Sequence, residues 1–155
     1  MTDALSLQDR YAPDDRCFGC GPANERGLRL KSHVAGGEVV AEWTPEPHHE
    51  AFDGIVNGGV IGALFDCHST WTAAWYLMTR DGAAAPPCTV TADFQVHMVW
   101  PTSSREPLRL RAWVVESQAD RAIVDATMES AGRTTAYCRG TFVAVQEGHP
   151  AYHRR

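Results

Sequence analysis

One acid, Asp66, stands in the middle of the stretch DGIVNGGVIGALFDCHSTWTAAWYLM, residues 53–78. Its neighbours are small or apolar, and no lysine or arginine occurs from the start of the stretch until Arg80. A carboxylate inside a buried helix can be satisfied by a hydroxyl or amide partner, including one across a dimer interface. It can also act as a general base or nucleophile whose pKa is shifted by its surroundings. Both interpretations are open at this point.

Two glycines, Gly58 and Gly59, follow Asn57 at the predicted start of this helix. Backbone N–H groups at a helix start lack intrahelical acceptors, and the helix dipole is positive there. Because glycine has no side chain, an incoming carbonyl oxygen could approach these donors closely. An oxyanion site at the first turn, with a carboxylate about two turns later on the same face, suits acyl transfer. The glycines could equally serve only tight helix packing.

An advance of about 100° per residue divides the helix into two faces. The bulky face, expected to fill the concave side of a sheet, holds Ile61, Leu64, Phe65, His68, Trp71 and Trp75. The opposite face is a stripe of small residues with the acid at its centre: Gly59, Gly62, Ala63, Asp66, Thr70 and Ala73. His68 lies about 200° from Asp66 around the helix, so the two cannot act together on one face. We expect His68 to be a packed or hydrogen-bonded histidine.

The remaining segments predict an antiparallel sheet. Residues 88–100 alternate apolar and polar side chains with a period of two, which predicts one long strand. Three more strands follow, joined by connections too short for a crossover helix, at 107–116, 121–130 and 133–145. Two short strands at 27–34 and 38–45, and then a loop over 46–54, precede the helix. The predicted fold class is α+β, an antiparallel sheet of about six strands wrapped around one long central helix.

The composition fits a single domain of 155 residues. We expect an irregular arm over 1–26, the domain over 27–147 and a tail over 148–155. The net charge of −5, without a basic stripe, argues against a nucleic-acid partner. No signal peptide is expected, and the polar residues within 59–78 argue against a membrane span. Five cysteines without a secretory signal predict reduced thiols and a cytoplasmic protein.

These motifs together resemble the hotdog-fold acyl-CoA thioesterases, especially the branch of phenylacetate-pathway and human mitochondrial-type enzymes. That family opens its central helix with His-Gly-Gly and carries an acid nine residues after the His. Here NGGVIGALFD places Asn57 before the two glycines and Asp66 nine residues after it. The family's next strand bears a hydroxyl residue, an Asp and a Pro, as does VTADFQVHMVWP at 90–101. The similarity covers residues 17–145, including the lead-in CFGCGPANERGLRL.

The resemblance implies a thioesterase that hydrolyses an acyl- or aryl-CoA to the free acid and coenzyme A, with no metal or organic cofactor. Asp66 would be the general base or nucleophile, and the amide of Gly58 or Gly59 would hold the carbonyl oxygen. Thr91 matches the hydroxyl that positions the water, presented by the other subunit of a homodimer that could pair again into a tetramer. His49 matches a loop histidine of some relatives, which makes it a substrate-binding candidate or a solvated loop residue.

Two positions depart from the family pattern. Asn57 replaces the family His, and its amide can donate a hydrogen bond but cannot carry a proton charge. Ala51 stands where some relatives carry an Asn that contacts the thioester oxygen. We hypothesise that Asn57 takes over part of that donor role, as both a catalytic and a substrate-binding residue.

Other side chains are candidates for metal binding, phosphate binding or the core. Cys17 and Cys20 have the spacing of half a zinc site, but no second pair follows in sequence, so thiols in a packed arm are expected. Conceivable further ligands are His33, His48, His49, Cys67 and His68. Coenzyme A phosphates or plain solvent could face Arg105, Arg109, Arg111, Arg133 and Arg139. The residues expected in the core include Trp71, Trp75, Phe94, Met98 and Trp100.

Two other function classes fit the same pattern. A non-catalytic module that binds acyl-CoA or an acyl carrier would keep the hotdog fold and would not need the family histidine that Asn57 replaces. A hotdog hydratase or dehydratase needs a catalytic His near the acid, and His68 is predicted on the wrong face. The thioesterase is therefore preferred, with acyl-CoA as substrate and neither nucleic acid nor membrane as partner.

Overall fold

The computed structural model describes residues 5–153, in an arrangement of two helices and eight strands. In chain order the elements are α1 (Leu7–Tyr11), β1 (His33–Ala35), β2 (Glu38–Trp43), a 3-10 turn (Pro47–His49), β3 (Glu50–Phe52), β4 (Ile55–Val56), α2 (Gly58–Asp81), β5 (Thr89–Met98), β6 (Leu108–Gln118), β7 (Arg121–Ser130) and β8 (Arg133–Ala144). Among these described residues no helix is long and apolar enough to cross a bilayer.

Six strands form one antiparallel sheet in the order β1-β2-β6-β7-β8-β5, and β3 and β4 form a separate two-stranded sheet. Helix α2 packs against β2, β5, β6, β7 and β8. The predicted α+β hotdog fold, one long helix wrapped by about six antiparallel strands, is confirmed.

The two faces of α2 explain why it lies in the sheet. Its bulky side chains from Ile61 to Trp71 are almost fully buried, and Trp75 is partly buried. They meet inward-facing residues of the long strands, including Leu108, Leu110, Met128 and Phe142. The helix ends where Gly82 adopts a left-handed conformation with φ of 64°, as C-terminal glycines commonly do.

Three sequence expectations about local structure were wrong. Residues 27–34 are not one strand, because the backbone N–H groups of Leu28 and Leu30 donate to the arm at Phe18 and Gly19, at 2.7 and 3.1 Å. The predicted loop over 46–54 holds the 3-10 turn and β3, the first strand of a hairpin. The arm is not irregular throughout, since Ser6 caps helix α1. Residues 1–4 of the arm and 154–155 of the tail lie outside the described residues.

A β-bulge in β5 changes which of its side chains face the helix. The pairing of β5 with β8 shifts between Thr91 and Asp93, so Ala92 is the extra residue. Cross-strand partners share a face, and Phe142 and Gly140 of β8 are buried. Their partners Thr91 and Phe94 therefore point toward α2, whereas strict alternation from Phe94 would have placed Ala92 inward and Thr91 outward.

Strand β5 lies at the edge of the sheet, and three of its residues or neighbours that were predicted in the core are exposed. The side chains of Phe94, Met98 and Trp100 are 39%, 52% and 55% exposed rather than buried. The reason is that β5 has β8 on one side and no strand on the other within residues 5–153.

His68 is a fully buried, hydrogen-bonded histidine, as its position on the bulky face predicted. Its Nδ1 lies 2.8 Å from the Ser32 hydroxyl and its Nε2 lies 3.0 Å from the Val39 carbonyl oxygen. The Nε2–H group therefore donates to Val39, and Nδ1 accepts from Ser32. Burial lowers the pKa of His68 to about 4, so the ring is neutral at pH 7.

We expect His68→Leu to destabilise the fold by about 2–3 kcal/mol, because the Ser32 hydroxyl and the Val39 carbonyl lose a partner in a buried site. Denaturant unfolding at fixed protein concentration measures the change. The exposed His48 supplies a matched control, since His48→Leu should change stability by no more than about 0.5 kcal/mol. Equal effects of the two variants would contradict the structural role of His68.

Candidate active site

Asp66 lies midway along α2, half-buried, with its carboxylate held from β5. The Thr91 hydroxyl donates to Asp66 Oδ1 at 2.6 Å. Thr70, one turn further along α2, lies 3.3 Å from the Thr91 hydroxyl and donates to the Asp66 backbone carbonyl at 2.8 Å. The expectation that the other subunit presents Thr91 is corrected, because the β5 bulge brings Thr91 to Asp66 of its own chain.

The surroundings of Asp66 favour a basic carboxylate. Burial raises its pKa above the usual value, and the Thr91 hydrogen bond opposes only part of that shift. Within residues 5–153 no lysine, arginine or histidine forms an ion pair with it. A carboxylate with a raised pKa and no cation beside it is a better proton acceptor than an exposed one. The carboxylate is therefore available for chemistry.

The start of α2 leaves one backbone donor open. The Asn57 side-chain oxygen accepts from the amides of Gly59 and Val60 at 2.8 and 3.2 Å. The Ile61 amide donates to the Asn57 carbonyl oxygen at 3.2 Å. Among the described residues only the Gly58 amide of this first turn lacks an acceptor. Of the two predicted oxyanion donors, Gly59 is thus already engaged by Asn57.

Asn57 is foremost the N-cap of the helix. Its side-chain oxygen is committed to the cap, which leaves only the amide N–H₂ group to donate to a ligand. Exposed at the tip of α2, that group can still serve the donor role hypothesised from the sequence.

His49 supports the helix start rather than pointing into open solvent. Its carbonyl oxygen accepts from the Asn57 amide at 2.9 Å, and its Nδ1 accepts from the Glu46 amide at 2.9 Å. Its ring packs against Trp43, with centroids 4.8 Å apart. Burial, with a smaller effect of His48, lowers the pKa of His49. Its clearest role is therefore to position Asn57.

The space beside the small stripe is open at Gly62, between Gly58 and Asp66, and we call this space the groove. A Cβ placed on Gly62 would meet nothing within 4 Å, and one on Gly58 would lie 3.1 Å from the terminal methyl of Met98. Met98 borders this groove at Gly58, and Phe94 lies on the same inward face of β5. The sequence assigned both residues to the core, since the alternating pattern could not show that β5 is an edge. Thr70 was on the predicted stripe, but its partner Thr91 could not be inferred.

The candidate phosphate ligands have partners at the surface, and three cysteines among the candidate metal ligands lie together. Four of the five candidate arginines pair with carboxylates at the surface: Arg105 with Asp53, Arg109 with Glu42, Arg111 with Glu38 and Arg139 with Asp125. Arg133 lies 4.0 Å over the Trp100 ring. The sulfurs of Cys17, Cys20 and Cys67 lie within 4.8 Å of one another and form the one cluster in the described chain that could hold a metal.

No protein-family model and no curated protein matches the sequence. Among solved structures, a thioesterase superfamily protein from Shewanella loihica PV-4 matches with a TM-score of 0.69 and 28% sequence identity, over 90% of this chain and 99% of that chain. The chain therefore has the hotdog fold and is similar to a protein of the thioesterase superfamily.

Two more distant hotdog structures come from phenylacetic acid degradation. The E. coli PaaI protein from the phenylacetic acid degradation operon has a TM-score of 0.62 and 16% identity, over 77% of this chain and 81% of that chain. A phenylacetic acid degradation-related protein from Ralstonia eutropha JMP134 has a TM-score of 0.65 and 16% identity, over 81% of this chain and 92% of that chain. At such identities these two similarities concern the hotdog fold alone.

We expect Asn57→Ala to destabilise the hotdog domain by about 1 kcal/mol, because two amides of the first turn of α2 lose their acceptor. Asn57→Asp is the matched control, since aspartate caps as well as asparagine and should leave stability nearly unchanged. Chemical denaturation of both variants measures the difference. Equal losses would show that the cap is not what Asn57 contributes.

Proposed function

We propose that this hotdog protein is an acyl-CoA thioesterase that hydrolyses an acyl- or aryl-CoA to the free acid and coenzyme A. The observation that carries the proposal is the hydrogen bond of 2.6 Å between Thr91 and Asp66, which orients a half-buried carboxylate beside an open groove. The similarity to a thioesterase superfamily protein supports the reaction class. A bound acyl-CoA and a water molecule would complete the site.

The proposed chemistry uses Asp66 as a general base. Thr91 donates to Oδ1, which leaves Oδ2 to take a proton from water. The water oxygen then bonds to the thioester carbon, and the carbonyl oxygen becomes an oxyanion. When the intermediate collapses, the carbon–sulfur bond breaks and the proton passes from Asp66 to the coenzyme A sulfur. Direct attack by Asp66, through an anhydride that water then opens, gives the same products.

The oxyanion donor for this reaction comes from a second copy of the chain. Gly58 and Asp66 are eight residues apart on one helix, so a rise of 1.5 Å per residue separates them by about 12 Å along the axis. A single carbonyl cannot both contact the Gly58 amide and receive a water held by Asp66 over that distance, because each contact spans only about 3 Å. The site therefore pairs Asp66 and Thr91 of one subunit with the helix start of the other.

The edge strand β5 supports such a homodimer. Its outer side has no strand neighbour in the described chain, and apolar side chains stand exposed along it and just beyond: Phe94, Met98, Val99 and Trp100. Edge strands of this kind pair readily with another strand, and apolar patches mark interfaces. Antiparallel pairing of two β5 edges would bring each helix start toward the other subunit's groove. Further pairing into a tetramer is compatible with this arrangement.

The other function classes have less support. A hydratase needs an imidazole near the acid, but His68 is buried in the core and neutral at pH 7. A non-catalytic binding module would not require an oriented carboxylate of raised pKa. We place the enzyme in the cytoplasm, because all five cysteines are free thiols.

We expect Asp66→Asn to lower the rate of hydrolysis by about 10²–10⁴-fold, the usual contribution of a general base. Thr91→Val, which keeps the shape but removes the hydroxyl, should lower it by roughly tenfold, whereas Thr91→Ser should retain most of it. Release of free thiol from a panel of aryl-, short-chain and long-chain acyl-CoAs measures the rates. The distant Asp120→Asn serves as the matched control.

Two results would count against the enzyme. If Asp66→Asn hydrolysed every active acyl-CoA at the wild-type rate, the carboxylate would not be the base. If the wild type bound coenzyme A thioesters tightly but hydrolysed none of the panel, the chain would be a binding module.

A composite site, with Asp66 from one subunit and the Gly58 amide from the other, predicts complementation between two inactive variants. Gly58→Pro removes the open N–H and should keep the helix start, since proline suits the first position of a helix and Asn57, with ψ of 136°, suits the residue before proline. Loss of one oxyanion donor should cost about 10²–10³-fold in rate. Co-expression with Asp66→Asn should restore about a quarter of the wild-type activity, because half of the random dimers contain one intact site of two.

Gly58→Ala is the matched control for this experiment. It adds the same Cβ near Met98 but keeps the amide, so it should remain much more active than Gly58→Pro. If the mixed variants regain no activity although tagged heterodimers form, both groups act within one chain and the composite site is wrong.

A further inference from the structure

Three cysteines from distant parts of the sequence meet at α2. Cys17 and Cys20 lie in the arm, and Cys67 lies on α2 directly after Asp66. Their three sulfurs lie within 4.8 Å of one another, and the Cys17 and Cys67 sulfurs are 3.7 Å apart. Cys20 and Cys67 are buried, while Cys17 is exposed at the surface. No disulfide joins them.

The arm is folded tightly around its two cysteines. The Gly21 amide closes a turn by donating to the Cys17 carbonyl oxygen at 2.8 Å. The backbone amides of Cys20 and Gly19 are directed at the Cys17 sulfur. Donors directed at a sulfur are what a metal-bound thiolate uses to keep its orientation.

Glycines allow this turn to reach the helix. A Cβ on Gly19 would lie 2.3 Å from the Cys67 sulfur, so no side chain fits between the turn and α2. A Cβ on Gly21 would lie 2.4 Å from the Cys17 amide nitrogen and would break the turn. The loop is further fixed by its hydrogen bonds to Leu28 and Leu30. The sequence C-F-G-C-G therefore builds a close approach of three sulfurs.

The spacing of the sulfurs matches a metal better than a disulfide. Two thiolates bound to one tetrahedral Zn²⁺, each at about 2.3 Å, lie about 3.8 Å apart. The observed separation of Cys17 and Cys67 is 3.7 Å. A disulfide would need these sulfurs at about 2.05 Å and would leave the third thiol unused.

We propose that Cys17, Cys20 and Cys67 bind one Zn²⁺ ion, with water at a fourth position on the exposed side of Cys17. Three thiolates are soft ligands that select zinc over magnesium or calcium. The ion ties the N-terminal arm to α2 at the residue next to Asp66. The site is structural and takes no part in the thioesterase chemistry, so it stands independently of the proposed function.

The test is metal content and spectroscopy on the full-length protein. After growth with zinc and purification without chelators, the wild type should contain about one zinc per chain by plasma mass spectrometry. Replacement of zinc by Co²⁺ should give the strong near-ultraviolet absorption of thiolate-bound cobalt. Zinc should also raise the melting temperature of the metal-free wild type, because it binds the folded chain.

Variants assign the ligands. Cys17→Ser changes an exposed side chain and should fold, yet lose most of the zinc and the cobalt absorption. Cys67→Ser should do the same. Cys88→Ser alters a cysteine outside the cluster and should keep both signals. Because the readouts on the wild type need no variant, a misfolded Cys67→Ser would not remove the test.

Three outcomes would overturn the proposal. The first is a reduced wild type that takes up neither zinc nor cobalt. The second is full zinc content in Cys17→Ser, which would place the metal elsewhere. The third is a native protein two hydrogens lighter than its thiol form with a disulfide mapped to these cysteines, which would make the cluster a redox pair.

Discussion

The packing of α2 into the concave sheet is the constraint on which the rest of the structure depends. One face of the helix is large and apolar and fills the core, including a neutral His68 held by two hydrogen bonds. Because that face fixes the rotation of the helix, the opposite stripe of small residues must face β5 and the groove. A carboxylate on this stripe is half-buried without being enclosed, which is the environment that raises the pKa of Asp66.

Strand β5 supplies the residues opposite this helix face in the candidate site. Its bulge at Ala92 places Thr91 against Asp66, and its unpaired edge leaves Phe94 and Met98 exposed. The rise of an α-helix separates the Gly58 amide from Asp66, so in the proposed enzyme the acid and the oxyanion donor of one site come from two subunits. Catalysis in the proposed enzyme therefore requires the dimer.

The N-terminal arm adds a second attachment to the same helix. Its turn approaches α2 through Gly19 and brings Cys17 and Cys20 to Cys67, one residue from the proposed base. The arm thereby covers α2 at Ala63 and Cys67. A metal at this point would hold the arm to α2 beside the groove.

The sequence by itself determined the helix, its two faces, the antiparallel strands and the position of Asp66 on the small face, because these follow from local periodicity and residue type. It also predicted the buried role of His68 from angular position alone. Tertiary structure decided the rest: the bulge that turns Thr91 toward its own chain, the exposure of β5 and the engagement of the Gly59 amide by Asn57. Only folding brought Cys67 to the arm. These features depend on strand register, sheet order and contacts between distant segments, which a periodic pattern in one segment does not encode.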